Sequence, residues 1–239
     1  MVDIREKTDQ RVDYTFKYNT KLKRHGWLRL TPAYSVKLVE ELVIKTPRDG
    51  VIMDPFSGTA TTGLCAAEKG MRAYLHDINP FLVWFGNAKL KVYKESEINF
   101  QQHTVKEIIE RFHCRIDNDN WLPNMHNIER WWSGQTLSII SALRAEIVHS
   151  IGEIDSKSCG NLIWIAFCRL VIETSSAAFN HVSMSFKDET KDFCLNQIKW
   201  LFEEIFIRIS SDAKSTFSGY AEVHLVDSRK ISGGSIQWC

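Results

Sequence analysis

The chain has 239 residues, 44% hydrophobic and 25% charged, enough to bury a substantial core as one domain with a large insertion or one domain with a helical appendage. No apolar run approaches the ~20 residues needed to span a bilayer, and the mixed-charge start Met1-Val2-Asp3-Ile4-Arg5 lacks an apolar signal stretch, so no membrane association and a cytoplasmic location are expected. A net charge of +1 carries no global signature of nucleic-acid binding, and six cysteines without a Cys-x-x-Cys pair imply free thiols and no metal.

Residues 1–30 hold eight Lys/Arg against four Asp/Glu, a local excess that fits a phosphate-tracking arm or a solvated basic terminus. Over 32–45, Val36, Leu38, Val39, Leu42 and Val43 recur at helical spacing, and Pro32 suits a first turn. Pro47-Arg48-Asp49-Gly50 breaks this helix, and Val51-Ile52-Met53 is an apolar run closing on Asp54, the pattern of a buried strand. A helix over Thr61–Lys69, with small Gly63, Ala66 and Ala67, precedes a strand from Met71 to Leu75 that closes on Asp77. Another helix is expected over Pro80–Leu90. Strand, glycine-containing turn, helix, strand and acidic residue make a βαβ unit, the first half of a doubly wound sheet.

From about residue 96 the dominant period is helical, over Ile128–Ile147, Leu162–Thr174 and Phe193–Ile209. Asn118-Asp119-Asn120, Ser156-Lys157-Ser158-Cys159-Gly160 and Ser183-Met184-Ser185 read as loops between these helices. Trp131-Trp132 could stack on bases, but beside Ile128, Leu137 and Ile140 at least one belongs in the core. A final alternating run, Ala221–Val226, leads into Asp227 and reads as a third strand of the sheet.

Three strands thus end at Asp54, Asp77 and Asp227, on the edge where open α/β sheets collect ligands. A rim of carboxylates suits S-adenosylmethionine, which offers an ammonium, ribose hydroxyls and an adenine amine, better than it suits a dinucleotide's pyrophosphate. Gly58 lets the turn approach such a ligand without a side chain, and Asp77 follows 19 positions later, near the spacing expected of a ribose-binding acid.

The run Asp54-Pro55-Phe56-Ser57-Gly58-Thr59-Ala60-Thr61-Thr62, with Asp77-Ile78-Asn79-Pro80 behind it, resembles the DNA methyltransferases that modify exocyclic amines, cytosine N4 or adenine N6. Their pocket motif runs Asp-Pro-Phe-x-Gly-x-Gly-Thr-Thr. Ala60 stands where that pattern has Gly, a substitution that costs about 1 kcal/mol if the position is left-handed. Arg29-Leu30-Thr31-Pro32-Ala33-Tyr34-Ser35 is similar to the segment that closes over the methionine end, and Asp227-Ser228-Arg229 to an element whose acid approaches the adenine amine. The resemblance implies an S-adenosylmethionine site built from Thr31, Pro32, Asp54, Pro55, Phe56, Ser57, Gly58, Thr59, Asp77, Ile78 and Asp227. It also implies double-stranded DNA as the partner and extrusion of the target base. Asp227 reads equally well as a surface acid after an edge strand.

The expected fold is α/β: a partial Rossmann-like methyltransferase sheet with a large, mostly helical insertion. Its divisions are residues 1–95 (arm and cofactor-binding βαβ unit), 96–219 (helical insertion, with His181 and Lys187 as further candidate DNA contacts) and 220–239 (return strand and tail). The family's catalytic loop, Asp/Asn/Ser-Pro-Pro-Tyr/Phe, has no counterpart, because no Pro-Pro dipeptide occurs in the chain. No catalytic residue is therefore assigned, and a truncated or split enzyme, completed by a second chain that supplies the loop, is expected. A noncatalytic subunit or inactive remnant of a restriction-modification system is the alternative, and an RNA or small-molecule methyltransferase is a third reading.

Overall fold

The structure is a computed structural model that describes residues 16–28, 34–116, 118, 120–155, 159–178, 185–186 and 191–230. In chain order the elements are α1 (Phe16–Asn19), α2 (Val36–Ile44), β1 (Val51–Asp54), α3 (Thr61–Glu68), β2 (Arg72–Asp77), α4 (Pro80–Leu90) and α5 (Glu95–Arg111). They continue with α6 (Gly134–Ile151), α7 (Asn161–Thr174), β3 (Ala177–Ala178), β4 (Ser185–Phe186), α8 (Leu195–Ala213) and β5 (Tyr220–Leu225).

The strands β1, β2 and β5 form a parallel sheet in the order β1-β2-β5, with Asp54 opposite Leu75 and Asp77 opposite Leu225. The period-2 alternation turns Ile52, Ala73, Leu75, Ala221 and Val223 to one face, where α3 and α4 pack. Glycine allows the approach: a Cβ on Gly63 would stand 2.6 Å from Leu75 Cδ1, and one on Gly86 2.7 Å from Val223 Cγ2. The opposite face carries exposed Val51, Arg72, Tyr220 and His224. Asn87 closes the outer edge of β5, its amide donating to Val223 O (2.7 Å) and accepting from Val223 N–H (2.9 Å) like a short extra strand. Among the described residues β1 has β2 as its single strand neighbour.

The second core is helical. It is centred on α7, whose Leu162, Ile163, Trp164, Ile165, Ala166 and Leu170 are buried. Helix α4 serves both cores, giving Leu90 to the sheet side and Trp84, Phe85 and Ala88 to the helical side, where Trp84 Nε1 donates to Asn161 Oδ1 at 3.0 Å. Arg24 joins the layers from a one-turn 3-10 helix, Lys23–Gly26, its guanidinium donating to carbonyls at the ends of α4 and α8.

Several expectations need correction. The first amphipathic helix begins at Val36 rather than Pro32: Ser35 is extended, and the Asn19 side chain takes the Val36 N–H (2.9 Å) while donating to Tyr34 O. The helix expected over Ile128–Ile147 is split into a 3-10 turn, Ile128–Arg130, and α6, because Ser133 caps Thr136 N–H and starts a new helix. Helix α5 lies outside the periods read above; Glu97 opens it by accepting the Lys94 N–H (2.8 Å). Ser185 pairs in the small antiparallel hairpin β3–β4 rather than lying in a loop. Trp132 is core, with its Nε1 on Val171 O, and Trp131 stacks against it and meets Phe186 edge-on. His181, Lys187, Asp119, residues 156–158, the first 15 residues and the tail from 231 lie outside the described residues. Among the described residues no helix is long and apolar enough to cross a membrane.

Candidate functional site

Parallel pairing brings the C-terminal ends of β1, β2 and β5 to one rim, with Asp77 at its centre. At β1 the chain turns sharply. The Asp54 carboxylate accepts Phe56 N–H (3.0 Å), Ser57 N–H returns to His76 O on β2 (2.9 Å), and Ala60 N–H closes on Ser57 O (2.8 Å). Gly58 sits at φ 50° and Ala60 at φ 56°, so two left-handed residues flank Thr59. The conditional cost attached to Ala60 therefore applies. Its methyl is fully buried among the residues packed on the sheet.

Asp77 ties the rim together. One carboxylate oxygen accepts Gly58 N–H at 2.9 Å and the other accepts Asn79 N–H at 2.9 Å, while Asn79 caps α4 through Phe81 N–H. Each oxygen keeps a further lone pair for a hydroxyl donor. Phe56, in the turn after β1, and Ile78, next to Asp77 in the turn after β2, are both 67% exposed. Large apolar side chains held this open at a polar rim are suited to a flat ring.

The remaining expected residues distribute differently. Pro55 is half-buried, and Ser57 is buried with its hydroxyl lacking a hydrogen-bond partner among the described residues. Thr59 turns its carbonyl inward to Lys89 Nζ (2.7 Å), and its hydroxyl lies 3.4 Å from that of Thr61. Asp227 reaches the rim beside Asp77, since Val226 N–H extends the ladder to Asp77 O. Its carboxylate is gripped by the Arg229 side chain (2.5 and 3.0 Å) and by Arg229 N–H, which holds it down to about 2. It is thus already engaged. Thr31 and Pro32 lie outside the described residues.

Beneath the loop is a charged cluster that motif reading misses. Lys89 is 1% exposed, and burial lowers it to about 8. Around it stand Cys65, pushed up to about 12 by burial, His25, pushed down to about 4 by burial, and Glu68, 3.6 Å from His25 Nε2. No local sequence signal marks it: Lys89 stands two positions from Asn87 and two from Lys91, like an ordinary lysine in a helix's last turn. His76, behind Asp77, is held below its ordinary value by burial and by His224, its ring neighbour at 5.8 Å.

Two apolar cavities lie elsewhere. One of about 310 Å³ is lined by Tyr34, Leu38, Leu42 and Ile52, and one of about 160 Å³ by Trp121, Trp132 and Phe167; neither includes a rim carboxylate. Among the described residues no group of His, Cys, Asp and Glu is placed to hold a metal. Compared with family models, curated proteins and solved structures, the chain finds no match.

Proposed function

We propose that this rim is an S-adenosylmethionine site and that the chain is the cofactor-binding portion of a DNA methyltransferase acting on an exocyclic amine, cytosine N4 or adenine N6. The observation that carries the reading is the Gly58 N–H bond to Asp77. It fastens the turn after β1 to the acid ending β2, at the C-terminal rim of a three-stranded parallel sheet flanked by helices, an arrangement that supports reading the fold as a partial Rossmann-like sheet.

The donor set fits the cofactor. Asp77 has acceptor capacity for ribose hydroxyls, Gly58 presents no side chain to a close ligand, and exposed Phe56 and Ile78 supply apolar surface for adenine. The bound group would supply an electrophilic methyl. Asp54 is committed locally to Phe56 N–H and keeps further acceptor capacity for the ammonium end. Asp227 would serve the adenine amine only after releasing Arg229.

Methyl transfer to DNA would require a Pro-Pro-Tyr loop from outside these 239 residues, either from further sequence of the same polypeptide or from a second chain, since no Pro-Pro dipeptide occurs among them. The same observation favours, as a second reading, a noncatalytic cofactor- or DNA-binding subunit. Thermal denaturation with S-adenosylhomocysteine, NAD and ATP tests the site. A rise in midpoint with S-adenosylhomocysteine alone supports it; a rise with NAD alone overturns it. Transfer of labelled methyl to double-stranded DNA, but not to RNA, would separate the DNA enzyme from the RNA or small-molecule alternatives.

A further inference from the structure

A lysine removed from water is costly unless its charge is used. Lys89 directs its ammonium into the turn between β1 and α3, where Nζ donates to Thr59 O at 2.7 Å. Thr59 is the residue between left-handed Gly58 and left-handed Ala60. Without a donor below it, this inward carbonyl is unsatisfied and the turn loses the interaction holding it down against α4.

We infer that Lys89 is the positioning residue of the rim: by holding the Thr59 carbonyl it fixes the Gly58–Ala60 turn, so that Gly58 N–H and the Asp77 carboxylate stay joined and face the ligand as one unit. The inference rests on the reading of the rim as an S-adenosyl site. Its surroundings are set for this use. Lys89 faces Cys65 and Glu68 on α3 and His25 on the Lys23–Gly26 turn, while Arg24 donates to its backbone carbonyl at 2.9 Å. Between about pH 6.5 and pH 9.5 His25 stays neutral, Cys65 protonated and Glu68 ionised, so Lys89 alone in this cluster changes charge. Its loss of a proton replaces a charge-assisted bond to Thr59 by a neutral one about half as strong.

Ligand affinity and the Lys89 contribution to folding stability therefore respond to pH in opposite directions. Affinity for S-adenosylhomocysteine falls about threefold between about pH 7 and pH 9.5 as the bond to Thr59 weakens, while the Lys89 contribution to folding stability rises because the buried charge is relieved. The test titrates S-adenosylhomocysteine calorimetrically into wild type and Lys89→Met across this range, the ratio of the two curves removing the titration of the ligand's own amine. Backbone hydrogen exchange of residues 57–61 in the ligand-free proteins is measured alongside.

The expected result is about tenfold weaker binding by folded Lys89→Met at pH 7, a wild-type to variant ratio that closes toward pH 9.5, and faster exchange of the turn amides in the variant. Wild-type affinity and an unchanged pH profile in folded Lys89→Met would overturn the inference. If the variant does not fold, wild type decides: turn amides equally protected at both pH values, after correction for intrinsic rates, also overturn it. If wild type binds no S-adenosyl compound at any pH, the reading of the rim fails. The exchange of Gly58 and Ala60 then still decides whether Lys89 holds the turn.

Discussion

Replacing Arg24 by Met would remove the polar tie between the sheet layer and the helical core. Arg24 is 1% exposed, with Nη1 donating to Lys89 O (2.9 Å) and Lys91 O (2.6 Å), and Nη2 to Ala213 O and Ser215 O (2.7 Å each). These carbonyls lie at the C-terminal ends of α4 and α8, where backbone acceptors lack helical partners and a cation is favoured by the helix dipole. Met keeps most of the apolar contact with Trp27 and Phe217, whose ring centroids lie 5.4 and 5.3 Å from the guanidinium carbon. The loss is then mainly polar. The Lys89 and Ala213 carbonyls sit in buried bonds, and each left unsatisfied costs about 1–3 kcal/mol, or about 2–6 together. Relief of the buried charge, whose burial lowers the Arg24 pKa, offsets part of this, leaving about 2–4 kcal/mol. With a urea slope of about 2 kcal/mol per molar, the midpoint of Arg24→Met should drop by about 1–2 M. A drop below about 0.3 M, with an unchanged slope, would refute the claim that this guanidinium holds the two helix ends.

Gly219→Ala should lower stability by about 2 kcal/mol or more in thermal denaturation, because its Cβ would stand 2.4 Å from Met71 O and 2.7 Å from Ala67 Cα, backbone atoms that cannot swing aside; an unchanged midpoint would contradict that packing. Ala60→Gly should be nearly neutral, within about 0.5 kcal/mol, since relief of the left-handed strain is cancelled by loss of a fully buried methyl, and a gain above about 1 kcal/mol would show the methyl contributes nothing. Lys89 has a folded value of about 8 against 10.5 unfolded, so between these the unfolded chain binds the extra proton and stability rises with pH. Cys65 and Cys168, pushed up to about 12 by burial, act in the opposite sense at alkaline pH, so the test is a difference: from pH 7 to pH 10 the stability of wild type relative to Lys89→Met should shift by about 2–3 kcal/mol in favour of wild type in denaturant titrations, and a constant difference would refute the buried ammonium. Asp77→Asn should keep the Gly58 or the Asn79 bond but not both, giving faster exchange of one of these amides by nuclear magnetic resonance; protection of both at wild-type levels would refute the bridging role.

The βαβ unit was legible because its signals are local. Val51–Asp54, Gly63 and Pro80–Leu90 carry period, punctuation and small residues within short windows, and β1, α3 and α4 follow them closely. The third strand was legible through the alternation Ala221–Val226, although its pairing with β2 spans more than 140 residues of sequence. The start of α2 was not, because its first N–H is taken by Asn19, 17 residues upstream. Arg24 and Lys89 were invisible for a related reason. Each looks like an ordinary surface cation until the fold brings carbonyls from distant elements onto it. At the rim, the motif pointed to Asp54, Gly58 and Asp77, but nothing in Asp227-Ser228-Arg229 announced that the arginine would close on its own neighbour.

The central claim is that the rim formed by the Gly58 turn and Asp77 binds an S-adenosyl ligand. Isothermal titration of the purified chain with S-adenosylmethionine, beside the Asp77→Ala variant, tests it most directly. One-to-one saturable binding by wild type, abolished in a variant whose circular dichroism shows an intact fold, is the predicted result. A well-folded wild-type chain that gives no binding heat, or an Asp77→Ala variant that binds as tightly as wild type, would contradict the account.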